Sequence, residues 1–247
     1  MLTSLLDRRL FAERIGAPPG HVLALHGWAR NRHDLVAVMG NTTGLSIDLP
    51  GFGASPPPPK PWRTADYAQF LAPLLDGLRH PRVVVGHSFG GRIAVHLAAA
   101  KPDAVDYLVL TGVPLLRGPI QSPPLHYRIV RSATRRGLLS PRFLESLRQK
   151  RGSADYRAAT GVLRDILVAA VNEDYRELIG HVSCPVTLIY GEHDTAAPVA
   201  QAGEAASLFA DAKLTIVADS GHLLDDHIVA AVRNVVTMAV GAERSST

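Results

Sequence analysis

Ser88, Asp194 and His222 are the residues whose types and setting could do chemistry in this chain. Ser88 lies in Gly86-His87-Ser88-Phe89-Gly90, directly after the β-branched run Val83-Val84-Val85 and before a helical pattern. In a chain of this length G-x-S-x-G arises by chance roughly one time in ten, so the pattern alone decides little. Between a strand and a helix it means more. The sharp turn strains the serine backbone, and Gly86 and Gly90 remove side chains that would collide around it. Ser88 also begins the helix, whose free N–H groups and positive end suit an oxyanion formed when the hydroxyl attacks a carbonyl.

A serine hydroxyl needs a base, and the base needs an acid that fixes its tautomer. Of the eleven histidines, His222 follows a strand pattern in Ala218-Asp219-Ser220-Gly221-His222, where glycine permits a loop over the sheet edge. His227 is less well placed. Asp194 stands just past the strand pattern ending Leu188-Ile189-Tyr190-Gly191, with Glu192 as the nearest substitute. Each of the three falls beyond the carboxyl end of an expected strand, where open α/β sheets bind ligands. Their order is serine, acid, histidine. A second oxyanion donor is expected from the turn His26-Gly27-Trp28, which makes the backbone N–H groups of Trp28 and Phe89 the candidate oxyanion hole. His26 and His87 flank the site in sequence and are read as hydrogen-bonding supports, as is Asp48. Helical spacing splits His222, Asp225, Asp226 and His227 between faces, so no metal is assigned.

To position these groups the chain must build a mostly parallel sheet with flanking helices, an α/β fold. Strand patterns are expected at 9–15, 21–25, 45–48, 82–86, 105–111, 184–190 and 213–218. Helical patterns are expected at 34–39, from a Thr64 cap to about 79, from Ser88 to before Pro102, at 198–209 and at 222–240. From about 114 to 182 strand signals stop and Arg-rich helical segments take over, which reads as an inserted helical cap in a single domain spanning 1–247. Cys184 rules out an internal disulfide and has the setting of a buried strand residue.

The net charge of +4 is uneven. Residues 115–180 hold twelve Arg or Lys against six Asp or Glu, leaving fourteen against sixteen elsewhere. Arginines such as Arg128, Arg131, Arg135 and Arg136 suit an anionic substrate or simple solvation, and solvation is the commoner use of such faces. No nucleic-acid-binding module accompanies the charge. No stretch is long and apolar enough for a membrane span, and the opening residues reach charge too early for a signal peptide. The expectation is a cytoplasmic protein, monomer or homodimer.

Through His26-Gly27-Trp28, Asp48-Leu49-Pro50-Gly51-Phe52-Gly53, Gly86 to Gly91, Gly191-Glu192-His193-Asp194 and Gly221-His222, the sequence resembles the α/β-hydrolase superfamily along nearly its whole length. The resemblance implies a sheet of eight strands or slightly fewer, a helical cap after the sixth strand, and no cofactor. A short N-terminus suggests that the first strand is omitted. Within the superfamily the motifs are most similar to small esterases and carbon–carbon bond hydrolases, although Ala29-Arg30-Asn31 stands where the latter carry a G-P-G extension. Serine at the elbow argues against dehalogenases and epoxide hydrolases. The expected reaction is hydrolysis of a small-molecule carboxylic ester through an acyl-enzyme. A thioesterase, a carbon–carbon hydrolase and a slow-turnover ligand receptor are the alternatives.

Overall fold

A computed structural model describes residues 1–117, 132, 134, 136, 140 and 153–241. Its frame is one eight-stranded sheet of β1 (Leu2–Leu5), β2 (Leu10–Ile15), β3 (Val22–Leu25), β4 (Gly44–Asp48), β5 (Val83–His87), β6 (Tyr107–Thr111), β7 (Val186–Gly191) and β8 (Ala212–Val217). The spatial order is β1-β2-β4-β3-β5-β6-β7-β8. The β1/β2 and β2/β4 pairs are antiparallel, and every pair from β4/β3 to β7/β8 is parallel. Order reverses around β3, so the loops after β3 and β5 open next to each other at one edge, where such sheets bind ligands.

Side chains alternate across the pleat and serve two cores. Leu23 and Leu25 of β3, with Val84, Leu108, Leu110 and Leu188, pack under α1 (Thr64–Leu71), α3 (Phe89–Ala100) and a later helix at Val199–Ala206. Val22 and Ala24, with Val83, Val85, Val109 and Ile189, face the last helix, Asp226–Gly241, through Ile228, Val232 and Val236. Those three stand at i, i+4 and i+8, and each burial stabilises by about 1.5–3 kcal/mol.

Four expectations need correction. The first strand is present: β1 pairs antiparallel with β2, although its residues alternate between exposed and half-buried and so give little hydrophobic signal. The helix expected from 64 to about 79 breaks into α1 and α2 (Pro73–Asp76), because Pro73 has no N–H to continue the ladder. Its N-cap is Arg63, whose backbone N–H is taken by the Asp66 carboxylate at 2.7 Å, while the Thr64 hydroxyl bonds to Tyr175 and Glu173. The last helix begins at Asp226, not at 222, so His222 sits in a loop. Asp225 caps that helix by accepting from the Ile228 N–H at 2.9 Å. The pattern at 34–39 forms two short 3₁₀ turns, Arg32–Leu35 and Ala37–Met39.

Between β6 and β7 the described residues form α4 (Ala154–Ala158), α5 (Gly161–Ala170) and α6 (Arg176–Ile179); the helices at Val199–Ala206 and Asp226–Gly241 are α7 and α8. A large part of the expected cap, with Arg128, Arg131 and Arg135, lies outside the described residues, while Arg136 is exposed.

Candidate active site

The residue after β5 is where the chain must reverse. Ser88 adopts φ 49°, ψ −112°, a left-handed strained conformation, before α3 begins at Phe89. The reversal presses β5 and α3 so closely that a Cβ on Gly86 would strike Gly91, and one on Gly90 would strike the Leu25 and His26 carbonyls. Glycine is obligatory at both places.

Five residues past β8, the His222 imidazole comes within 3.1 Å of the Ser88 hydroxyl through Nε2, and Nδ1 lies 2.8 Å from Oδ2 of Asp194. The carboxylate accepts from Nδ1–H, which leaves the Nε2 lone pair to accept the serine O–H. Asp194 is buried, and its Oδ1 accepts the N–H groups of Ala196 at 2.9 Å and Ala197 at 2.7 Å. The three residues expected from sequence are therefore in one hydrogen-bonded line. Glu192 points elsewhere and accepts the Asp219 N–H at 3.3 Å, and His227 lies in the first turn of α8.

The turn carrying Trp28 lies beside the elbow: a Cβ on Gly27 would lie 3.4 Å from the Ser88 Cβ. Among the described residues no hydrogen bond uses the backbone N–H of Trp28 or Phe89. Their rings stack edge to face at 5.2 Å, and Trp28 meets Phe52 at 5.0 Å, forming an aromatic wall beside Ser88. His26 fixes this loop: Nδ1–H donates to the Gly27 carbonyl at 2.7 Å and Nε2 accepts the Leu49 N–H at 3.0 Å. Burial lowers the His26 imidazole to about 4, so it is neutral. His87 is held likewise by the Thr111 carbonyl at 3.1 Å, and burial together with the nearby His222 lowers it to about 4. Asp48 accepts from Arg32 N–H at 2.7 Å, Arg32 Nη1 at 2.6 Å and Ala54 N–H at 2.8 Å, which tie the β4 loop to the turn after β3.

Sequence reasoning missed three supports. Gly112, at φ 56° just after β6, leaves room for the acid and base: a Cβ there would lie 3.2 Å from both Asp194 Oδ2 and His222 Nδ1. A glycine directly after a strand was the available signal. Asp225 steadies the His222 loop by accepting from the Ser220 hydroxyl at 3.2 Å. Arg92 is buried behind the nucleophile in α3. Among the described residues Glu192, His193 and Asp219 bring ligating atoms within 4.8 Å of one another, but all three are exposed, and exposed acidic groups cluster commonly without an ion.

The sequence model of the alpha/beta hydrolase family matches residues 22–233, which takes in β3 through the first half of α8 and every residue of the line. The chain belongs to the alpha/beta hydrolase family. This hydrolase is 30% identical over 238 residues to a pimeloyl-[acyl-carrier protein] methyl ester esterase of Chromobacterium violaceum, covering 86% of this chain and 91% of the relative. It is 43% identical over 110 residues to lipase LipV of Mycobacterium tuberculosis, a match covering 41% of this chain and only 40% of the relative's length. The crystal structure of a hydrolase from Pseudomonas aeruginosa PA01 shares the fold with a TM-score of 0.69 at 22% identity, covering 97% of each chain. The ester-hydrolysing α/β-hydrolase expected from the sequence agrees with what these relatives are named for. No helix among its described residues is long and apolar enough to cross a membrane.

Proposed function

We propose that this hydrolase cleaves a carboxylic ester by a Ser88-His222-Asp194 triad through an acyl-enzyme. Ser88 Oγ attacks the carbonyl carbon while His222 Nε2 takes its proton, and the carbonyl oxygen becomes an oxyanion facing the Trp28 and Phe89 N–H groups. Collapse breaks the bond to the leaving alcohol, which receives the proton from His222. Water then repeats the attack, with His222 again as base, and releases the acid and free Ser88. Asp194 stays ionised throughout and stabilises the imidazolium by holding Nδ1–H.

The observation that carries this reading is the line from Ser88 Oγ to His222 Nε2, 3.1 Å, and from Nδ1 to the buried Asp194, 2.8 Å. The reading includes a helical cap over about 114–182 within a single domain. It also includes action on a small ester without a cofactor, in the cytoplasm, as monomer or homodimer. The methyl ester named for the Chromobacterium relative makes acyl methyl esters the first natural class to try.

The test is turnover of p-nitrophenyl and methyl esters by wild type and Ser88→Ala, with fluorophosphonate labelling of both. Wild type should hydrolyse and label, and the variant should lose about 10⁶ of the rate and all labelling. Equal rates in the two proteins would overturn Ser88 as nucleophile. A thioester turned over in strong preference to the matching oxygen ester would move the substrate class to thioesters.

A further inference from the structure

Arg92 lies in the first turn of α3, four residues beyond Ser88, and is only 9% exposed. A cation there opposes the helix dipole, and burial pushes the guanidinium below its ordinary value. Among the described residues no carboxylate is hydrogen-bonded to it. Its partners are carbonyls: Nε donates to Pro114 at 3.1 Å and Nη1 donates to Ala170. The guanidinium also lies over the Tyr175 ring, 5.9 Å from its centre.

These partners occupy both ends of the segment between β6 and β7. Pro114 stands three residues past β6, and Ala170 is the last residue of α5. The Tyr175 N–H donates to the Leu115 carbonyl at 3.0 Å and ties the same two stretches together. Leu163 stands two turns before Ala170 on the same face of α5. Its Cδ2 fills the space beside Gly51, where a Cβ would lie 2.5 Å from it. Gly51 adjoins Phe52, which stacks on Trp28 beside the nucleophile. One rigid fork thus connects the helix that Ser88 opens to the helix whose Leu163 packs beside Gly51.

We propose that Arg92 is a positioning residue that fixes α5 and Leu163 over the Trp28-Phe52-Phe89 wall, so that it governs recognition of the acyl chain more than chemistry at the ester carbonyl. This rests on Ser88 being the nucleophile. An acetyl group ends near the carbonyl, whereas an octanoyl chain must lie along the wall and feel any shift of α5.

The experiment compares p-nitrophenyl octanoate with p-nitrophenyl acetate in wild type, Arg92→Lys and Leu163→Ala, with fluorophosphonate labelling and thermal melting of each. A lysine ammonium cannot span two carbonyls as the planar fork does. In Arg92→Lys the octanoate-to-acetate ratio of kcat/KM should fall about tenfold, mostly through a raised KM. Leu163→Ala, which leaves the buried arginine intact, should lower the ratio in the same direction. Labelling by a small fluorophosphonate should persist in both. An unchanged ratio in Arg92→Lys protein that still labels at Ser88 overturns the role of Arg92, as does a parallel loss on both esters. Full turnover by Ser88→Ala instead overturns the nucleophile on which the inference stands.

Discussion

Two buried aspartates stand at the carboxyl ends of strands, Asp48 on β4 and Asp194 beyond β7, and they do different work. Each accepts backbone N–H groups: Arg32 and Ala54 for Asp48, Ala196 and Ala197 for Asp194. The difference is the partner of the remaining charge. Asp48 meets the guanidinium of Arg32 at 2.6 Å, a permanent cation, so its charge is neutralised in every state. Asp194 meets His222, an imidazole, which can be neutral or protonated. Chemistry follows the partner that can change charge, not the burial or the backbone cradle, which both acids share.

The comparison predicts opposite phenotypes. Asp194→Asn keeps an oxygen for the Ala196 and Ala197 N–H groups but presents an amide to His222 Nδ1, which favours the wrong tautomer. Its kcat should fall about 10⁴-fold with little change in melting temperature. Asp48→Asn leaves half-buried Arg32 with only Glu13, 3.7 Å from its Nε, as counter-ion. Urea denaturation should report a loss of about 3–5 kcal/mol, while the protein that remains folded turns over at close to the wild-type rate. If Asp48→Asn instead depresses kcat in fully folded protein, the division between the two acids fails.

Acid should separate the supports from the site. His26 and His87 hold their folded values at about 4 against an ordinary 6.5. Between those values the unfolded chain binds protons that the fold refuses, so stability falls as pH drops from 6.5 towards 4. The loss is on the order of 3 kcal/mol for each imidazole. Urea midpoints at pH 7 and pH 4.5 measure it, and His26→Gln should flatten the slope; an equal slope in that variant would show that His26 does not contribute. The smallest effect is expected at Gly112. Gly112→Ala puts a methyl 3.2 Å from both Asp194 Oδ2 and His222 Nδ1, and kcat should fall about tenfold.

The site was legible because the chemistry sits in loops that glycine marks. Ser88 between Gly86 and Gly90, Asp194 after Gly191 and His222 after Gly221 each follow a run of β-branched or aliphatic residues, buried in β5 and β7 and half-buried to exposed in β8. The supports were less legible. Arg92 lies in a helix read only through its apolar positions, and nothing local tells a buried arginine from a solvated one. The helix expected from 222 starts only at Asp226, and Leu223 ahead of it is 65% exposed. β1 was missed because an antiparallel edge strand four residues long buries little. The pairing of Asp48 with Arg32 spans sixteen residues and depends on the β4 register, which no local pattern encodes.

The chain has two tryptophans, Trp28 and Trp62, and both pack against other aromatic rings. Trp62 touches Tyr67 and Phe70, one ring removed from Phe89, while Trp28 touches Phe52 and Phe89 directly. The aromatic wall therefore makes the protein its own optical probe. An acyl group placed on Ser88 changes the surroundings of one indole and leaves the other as an internal reference, so formation and decay of the covalent species can be followed in ultraviolet emission without a chromogenic substrate.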